Sequence, residues 1–222
     1  MKIELQLIGI VAAALVAAFL VALVATPVVK SLAQRVGAVD VPKDARRMHK
    51  VPIPRLGGLA IFIGFMVSIL LFVHIDHQMK GILLGAVIIV VLGVVDDMTP
   101  LRAKFKFLVQ ICAALVAVYH GVVIEILTNP NVFSDAPYWS LGWMKYPVTV
   151  LWIVGVTNAV NLIDGLDGLA SGVSTISAMT MLVIAILVSE QQVAIVMAAL
   201  AGACLGFMPY NKNPAKMFMG DT

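Results

Sequence analysis

Seven apolar runs dominate the 222-residue chain and leave it few ways to fold. A helix needs about 20 apolar residues to cross the hydrocarbon core of a bilayer, whereas a barrel strand needs only about ten residues of alternating character. The runs are long and do not alternate, so they predict helices. Hydrophobic residues make up 61% of the chain and charged residues 12%. This composition excludes a soluble globular domain.

The fold class that we predict is all-α: a polytopic integral membrane helical bundle with about seven transmembrane helices, in which residues 1–222 form a single membrane domain. The first run lacks a positive amino-terminal region and a cleavage site, which favours a retained helix over a signal peptide. The predicted spans are Ile3–Val29, Leu56–Val73, Gly81–Val95, Phe105–Ile124, Pro147–Val160, Leu169–Val188 and Val193–Met208.

The basic residues predict the orientation of these spans. Twelve of the fifteen Lys and Arg residues fall in Lys30–Arg55, Asp96–Lys106 and Pro209–Thr222, which an even number of spans separates from one another. Because positive loops stay on the cytoplasmic side, these segments are expected inside and the amino terminus outside. The turn Asn161–Gly168 falls on the same, cytoplasmic side.

Polar residues interrupt the apolar pattern most sharply between the fifth and sixth runs. Asn158, Asn161, Asp164 and Asp167 follow one another at three-residue intervals, with glycines beside the two aspartates. Such groups are costly at membrane depth unless they face a wet cavity or a ligand, and glycine permits sharp turns and close approach. The stretch indicates a polar site at a membrane face, although the asparagines could instead form interhelical hydrogen bonds.

Five aspartates are expected at helix ends on the cytoplasmic side, where their charges repel. Two carboxylates 4 Å apart cost about 1 kcal/mol in water and ~4 kcal/mol at an effective dielectric near 20. Carboxylates suit a hard divalent ion, Mg²⁺ or Mn²⁺, whereas the sequence has no Cys/His cluster with zinc-ligand spacing. The five are Asp96, Asp97, Asp164, Asp167 and Asp221.

Basic side chains share this side and imply an anionic substrate, most simply a phosphate or diphosphate. The acids and bases together indicate metal-dependent phosphoryl transfer where the membrane meets the cytosol, with a lipid phosphate as one reactant. The basic residues considered on this side are Arg46, Arg47, His49, Lys50, Arg55, Arg102, Lys104 and Lys106.

Several of these motifs together resemble one enzyme family. They are Asp96-Asp97 followed by Lys106 and Gln110, then NAVNLIDGLDGLASG from Asn158, then FMGDT from Phe218. In this order they resemble the polyprenyl-phosphate N-acetylhexosamine-1-phosphate transferases, within glycosyltransferase family 4. The first loop, RRMHKVPIPRLGGLAIF, resembles the WecA/TagO branch rather than the related phospho-MurNAc-pentapeptide translocases.

The resemblance implies an activity: transfer of N-acetylhexosamine-1-phosphate, GlcNAc-1-phosphate above all, from a UDP-sugar to undecaprenyl phosphate with release of UMP. That step starts a cell-wall, teichoic-acid or O-antigen glycan. Mg²⁺ or Mn²⁺ is the implied cofactor, and the bacterial inner membrane is the implied location. The expected partners are undecaprenyl phosphate, a UDP-N-acetylhexosamine and the bilayer, without nucleic acid; a second copy of the chain is a further candidate.

The resemblance also implies residue roles. Asp96 and Asp97 match the catalytic pair, one acting on the lipid phosphate and the other, Asp97, helping to hold the metal with Asp221. Lys106 matches a phosphate-binding lysine. The residues that match substrate-binding positions, of the first loop and of the nucleotide-sugar set, are Arg46, Arg47, His49, Asn158, Asn161, Asp164 and Asp167.

Two alternatives stay open at this point. The chain could be a secondary transporter, in which polar groups on broken helices bind substrate and ions, although the acids cluster at helix ends and no inverted repeat is visible. It could also be an inactive fragment or membrane subunit, because family members continue beyond the position of Thr222 with Gly-Ser, further helices and a His-rich loop. We therefore expect the chain to be the amino-terminal part of a longer transferase domain, inactive alone.

Overall fold

The computed structural model describes residues 2–42, 51–130 and 137–221. Seven α-helices account for most of these residues. They are α1 (Lys2–Val36), α2 (Gly57–Phe72), α3 (His77–Met98), α4 (Ala103–Tyr119), α5 (Lys145–Ile163), α6 (Leu169–Leu187) and α7 (Gln191–Asn211).

Two short antiparallel pairs of strands complete the secondary structure of the described residues. β1 (Val39–Asp40) pairs with β2 (Ile53–Pro54), and β3 (Ile126–Thr128) pairs with β4 (Tyr138–Ser140). The all-α class predicted from the sequence is therefore confirmed, since strands are few and short.

Five of the helices are long and apolar enough to cross a membrane: α1, α3, α5, α6 and α7. α2 is apolar but has only 16 residues. The chain is thus a multi-pass membrane protein, as predicted. The count of seven spans and their orientation remain predictions.

Four helices, α1, α3, α5 and α7, extend further than the sequence predicted, whereas α4 ends at Tyr119 instead of Ile124. α1 continues to Val36 instead of ending at Val29. The positive charge of Arg35 in its last turn interacts favourably with the negative end of the helix dipole. α5 runs to Ile163 instead of ending at Val160. Thr157 and Asn158 donate side-chain hydrogen bonds to carbonyl oxygens four residues earlier, so these polar groups are satisfied without breaking the helix.

The chain divides into two compact units. Unit 1 comprises residues 1–74, 90–101 and 160–222, and unit 2 comprises residues 75–89 and 102–159. In unit 1, α7 packs against α1, α2 and α6. A Cβ at Gly202 or Gly206 would collide with backbone oxygens of α1. Small residues four apart thus let two helix backbones touch, as in many membrane helix pairs.

Polar contacts inside unit 1 also join helices. The Ser68 hydroxyl of α2 donates to the Ala14 carbonyl of α1 at 2.8 Å. The Tyr210 hydroxyl of α7 donates to the Leu23 carbonyl at 3.3 Å. Because α7 is centred in this group of helices, its carboxyl end fixes where the following segment, residues 212–221, begins.

Unit 2 contains α4, the first part of α3 and most of α5. The hydroxyl of the buried Thr149 accepts a hydrogen bond from the Ile124 amide at 2.8 Å and donates one to the Lys145 carbonyl. Lys145 also forms an ion pair with Glu125 at 3.2 Å. These contacts fasten the β3–β4 hairpin to the start of α5.

Candidate active site

The last described segment of the chain is held against the start of α2. The Phe218 amide donates to the Pro54 carbonyl at 2.9 Å, and the amides of Gly57 and Gly58 donate to the carbonyls of Phe218 and Met219 at 3.0 and 2.9 Å. The first amides of a helix have no partner within the helix. Here the incoming segment supplies two of those partners, so its path is fixed.

This path brings Asp221 to the end of α3. The Asp221 amide donates to both carboxylate oxygens of Asp97, at 3.0 and 3.1 Å. Gly220 has a φ of +81°, and a Cβ at this position would collide with the Asp97 carboxylate. Only glycine satisfies both conditions without strain. Asp97 itself is 7% exposed.

Asn161 and Asp164 join the same group from α5 and the turn that follows it. The Asn161 side-chain amide donates to Asp221 Oδ1 at 2.6 Å. Burial raises the pKa of Asp164 to about 6; the charges of Asp221 and Asp97 raise it further, while a hydrogen bond from the Gly220 backbone and the charge of Arg55 lower it. Three carboxylates from distant parts of the sequence therefore converge in unit 1.

The two aspartates at the end of α3 have different surroundings. Asp96 Oδ1 accepts the Leu101 amide at 2.7 Å and so closes the turn after the helix, whereas Asp97 receives the Asp221 amide. Asp96 is 6% exposed. Both were predicted as catalytic residues, and the structure brings Asp97 into the carboxylate group.

Asp167 holds the loop after α7. Its Oδ2 atom accepts the Ala215 amide at 2.9 Å. Half-buried and beside this loop, Asp167 supports the route by which the chain reaches Phe218–Asp221.

Two predicted substrate-binding residues lie in unit 2. Asn158 donates from its side-chain amide to Gln110 Oε1 at 2.7 Å, which is an interhelical hydrogen bond between α5 and α4. Lys106 is half-buried in the first turn of α4. The remaining predicted residues, Arg46, Arg47 and His49, lie outside the described residues.

Sequence reasoning missed Asn211 at the end of α7. Its Oδ1 atom accepts from the Gly168 amide at 3.1 Å and the Ser171 hydroxyl at 2.9 Å, and its Nδ2 donates to the Met217 carbonyl at 3.1 Å. Asn211 is 1% exposed, so it links three segments from inside. The sequence did contain a signal for this residue, because Asn211 is a polar side chain at the end of an apolar run, a few residues before the FMGD motif.

The donor atoms suit a hard cation, but they do not form a complete cage. Among the described residues, no three His, Cys, Asp or Glu side chains are arranged as a ready metal site. Mg²⁺ typically uses one or two protein carboxylates together with substrate phosphates and water. Asp97 and Asp221 fit such an ion as partial ligands, and the ion would offset the repulsion from these two charges that helps to raise the pKa of Asp164.

Comparison with known proteins agrees with the motifs. The model of the family "Glycosyl transferase family 4" matches residues 79–222. A Bacillus subtilis protein named probable undecaprenyl-phosphate N-acetylglucosaminyl 1-phosphate transferase is 44% identical over 94% of this chain. A Mycobacterium tuberculosis decaprenyl-phosphate N-acetylglucosaminephosphotransferase is 34% identical over 99% of it.

A relative of the second branch matches as well. The phospho-N-acetylmuramoyl-pentapeptide-transferase of Heliobacterium modesticaldum is 34% identical over 82% of the chain. The chain spans 58%, 56% and 59% of the lengths of these three relatives. The resemblance expected from the sequence is confirmed: the chain belongs to glycosyl transferase family 4.

Proposed function

We propose that the protein transfers N-acetylhexosamine-1-phosphate, with GlcNAc-1-phosphate as the first candidate, from a UDP-sugar to undecaprenyl phosphate. One relative is named as a probable undecaprenyl-phosphate N-acetylglucosaminyl 1-phosphate transferase, and another as a phospho-N-acetylmuramoyl-pentapeptide-transferase. The single observation that carries the proposal is the meeting of Asp97, Asp164 and Asp221. Carboxylates that lie this close together repel one another unless a cation is present. A divalent ion that binds both the carboxylates and the phosphates of the two reactants would explain why they are grouped.

The reaction we propose joins two anions, so the residues act by positioning and by charge. An oxygen of the lipid phosphate forms a bond to the sugar-bearing phosphorus of the UDP-sugar. The bond from that phosphorus to the oxygen of UMP breaks, and UMP leaves with the electron pair. Attack can be direct or can pass through an aspartyl phosphosugar.

We assign the working carboxylates by their contacts. Asp97 acts on the lipid phosphate or holds the metal with Asp221, while Asn161 orients the Asp221 carboxylate by its hydrogen bond. Asp96 keeps its proposed catalytic role beside Asp97 and also holds the turn after α3. Asp167 keeps its proposed role in substrate binding and also holds the loop before Phe218. Lys106, Arg46, Arg47, His49 and Asn158 keep their proposed roles in binding substrate.

Mg²⁺ or Mn²⁺ is the proposed cofactor, held by Asp97 and Asp221 with Asp164 beside them. When bound, such an ion neutralises phosphate oxygens and stabilises the charge on the leaving UMP. The protein would act at the cytoplasmic face of a bacterial inner membrane, at the first step of a wall-polymer, teichoic-acid or lipopolysaccharide glycan. A homodimer is part of the proposal.

The test is metal-dependent UMP release by the full-length gene product in the presence of UDP-GlcNAc and undecaprenyl phosphate. Asp97→Asn, Asp167→Asn and Asp221→Asn are each expected to lower the rate by about 100-fold or more, because each removes a charge or alters a contact within the site. Asn is nearly isosteric with Asp, so the fold should persist. Elution in gel filtration and the unfolding temperature check this.

Asp76→Asn is the matched control. Asp76 Oδ1 accepts the Met79 amide at the start of α3 at 2.7 Å, and Asn keeps an oxygen suited to this cap. Activity should therefore stay near the wild-type level. Full activity of Asp97→Asn or Asp221→Asn would remove that residue from the site. Substrate movement across sealed proteoliposomes without UMP release would favour a transporter instead.

A further inference from the structure

We propose that Arg55 receives the phosphate of an incoming substrate: Asp40 holds the guanidinium group in place until phosphate oxygens replace the carboxylate as its partner. The identity of the substrates rests on the proposed function. Arg55 lies within the first-loop motif, but the resemblance assigns it no role, and the argument for one comes from how its backbone and side chain are held.

Two segments of unit 1, at Ala38 and at Phe218, fix the backbone around Arg55. The Arg55 amide donates to the Ala38 carbonyl of the chain just before β1 at 2.9 Å. On one side of Arg55, the Pro54 carbonyl accepts the Phe218 amide, and on the other side the Gly57 amide donates to Phe218. The residue therefore lies directly beside the segment that carries Asp221, with little freedom to move away.

Leu56, the next residue, is held in a strained conformation. Its φ and ψ are 79° and 19°, in the left-handed region that favours glycine. Its side chain is 1% exposed, so packing keeps it there. Strained backbone persists only where the surroundings enforce it, and it concentrates at ligand-binding positions. The conformation of Leu56 sets the direction in which the chain leaves Arg55 and enters α2.

The side chain of Arg55 pairs with Asp40 but remains accessible. The guanidinium Nη2 lies 3.1 Å from Asp40 Oδ1, and the exposed fractions of the two side chains are 37% and 12%. The positive charge of Arg55 also lowers the pKa of Asp164. Arg55 is thus paired with one carboxylate, Asp40, and interacts electrostatically with another, Asp164, of the candidate site.

The chemistry of this arrangement fits a phosphate. A guanidinium presents a planar array of donors that matches two phosphate oxygens at once, and it stays charged at all relevant pH values. The Arg55 side chain of this pair is partly exposed, so solvent weakens its pairing with Asp40 and an incoming phosphate can reach the guanidinium. Two sources of phosphate are available: the diphosphate of a nucleotide-sugar and the phosphate of the lipid.

Direct binding in detergent solution or nanodiscs tests the proposal with two probes, UDP and farnesyl phosphate. Arg55→Gln is expected to weaken binding of at least one probe about tenfold, the loss typical of a charge-assisted hydrogen bond. A loss with UDP alone assigns the nucleotide diphosphate, and a loss with farnesyl phosphate alone assigns the lipid phosphate. A loss with both means that Arg55 contacts both phosphates.

Two variants separate phosphate binding from a structural ion pair. Asp40→Asn removes the competing carboxylate, so phosphate binding should be unchanged or tighter. If the ion pair were only structural, Asp40→Asn would weaken binding as much as Arg55→Gln does. Arg35→Gln, in the exposed last turn of α1, is the matched control and should bind both probes like the wild type. Equal losses in Asp40→Asn and Arg55→Gln would overturn the proposal, as would no loss in Arg55→Gln.

Arg55→Lys keeps the test decisive if the glutamine variant folds poorly. Lysine keeps the charge but not the planar donor array. The affinity of Arg55→Lys for the probe should therefore lie between the affinity of Arg55→Gln and that of Asp40→Asn. Binding at or above the Asp40→Asn level would contradict the proposal. The binding assay needs no turnover. The proposal for Arg55 can therefore be refuted while UMP release supports the proposed function, and it can be supported while UMP release is absent.

Discussion

A backbone amide, not a basic side chain, joins Asp97 to Asp221. Asn161, a second neutral donor, orients the Asp221 carboxylate. Both donors are neutral, so these contacts fix the positions of the carboxylates without themselves cancelling their charge. Gly220 makes this arrangement possible, because any side chain at that position would occupy the space of the Asp97 carboxylate.

Asp164 gives the candidate site a measurable pH dependence. Its ordinary pKa of 3.8 is raised to about 6 in the folded protein, so between about pH 4 and pH 6 the folded state binds more protons than the unfolded state. Stability should therefore fall as pH rises through this range when no divalent ion is present. Unfolding temperatures measured in EDTA across that range check the expectation.

Asp164→Asn and added Mg²⁺ identify the source of this slope. The asparagine variant cannot titrate at this position and should show a flatter profile. Because metal ligands must lose their protons, Mg²⁺ should raise the unfolding temperature at pH 7 and have little effect at pH 5. An unchanged slope in Asp164→Asn would mean that another group causes it.

At the scale of elements, the segment Phe218–Asp221 behaves as an added partner for β2 and α2. Asn211 is the residue that directs the chain toward it, since one buried amide binds the turn before α6 and the carbonyl of Met217. The site therefore depends on a fixed relation between the end of α7 and the beginning of α6.

Asn211→Ala should weaken this relation. The substitution leaves the Gly168 amide and the Met217 carbonyl buried without their partner, and the free energy of unfolding should fall by about 1–3 kcal/mol. Ser171→Ala removes only one hydroxyl from the same group and should cost less. Denaturant unfolding of both variants, with UMP release measured alongside, tests the order of the two effects.

The sequence predicts the helices well and the contacts of the site only in part. Apolar runs mark α1 to α7 because burial in lipid demands them, and the short FMGD and Asp-Asp motifs mark the carboxylates. The hydrogen bonds of Asn211 with Gly168 and Ser171 and the pairing of Phe218 with Pro54 join residues far apart in the chain, and the strained Leu56 is held by packing. No local pattern encodes such contacts, so a single sequence did not predict them.

At the scale of the whole molecule, unit 1 depends on helices that touch through their backbones. Gly202 and Gly206 of α7 face carbonyl oxygens of Leu15 and Phe19 in α1. In lipid, where apolar surface gives little driving force, such close packing supplies much of the association between helices.

Gly202→Ala should therefore destabilise the protein although alanine favours helices. The new methyl group would collide with the Leu15 carbonyl, and overpacking of this kind costs about 1–3 kcal/mol. Gly172→Ala in α6 is the control, because a Cβ there meets no atom within 4 Å. Its unfolding temperature should stay the same or rise slightly, and an equal loss in both variants would contradict the packing argument.

The docking of Phe218 and Met219 onto Pro54, Gly57 and Gly58 has a consequence for how the molecule is made. The ribosome delivers the start of α2 early, long before the residues that pair with it exist. During insertion, water or another protein must provide the hydrogen bonds that Phe218, Met219 and Asp221 later form with the Gly57 and Gly58 amides and the Asp97 carboxylate. The carboxylates of the candidate site can come together only after α7 has entered the membrane, because the segment Phe218–Asp221 follows α7 in the chain.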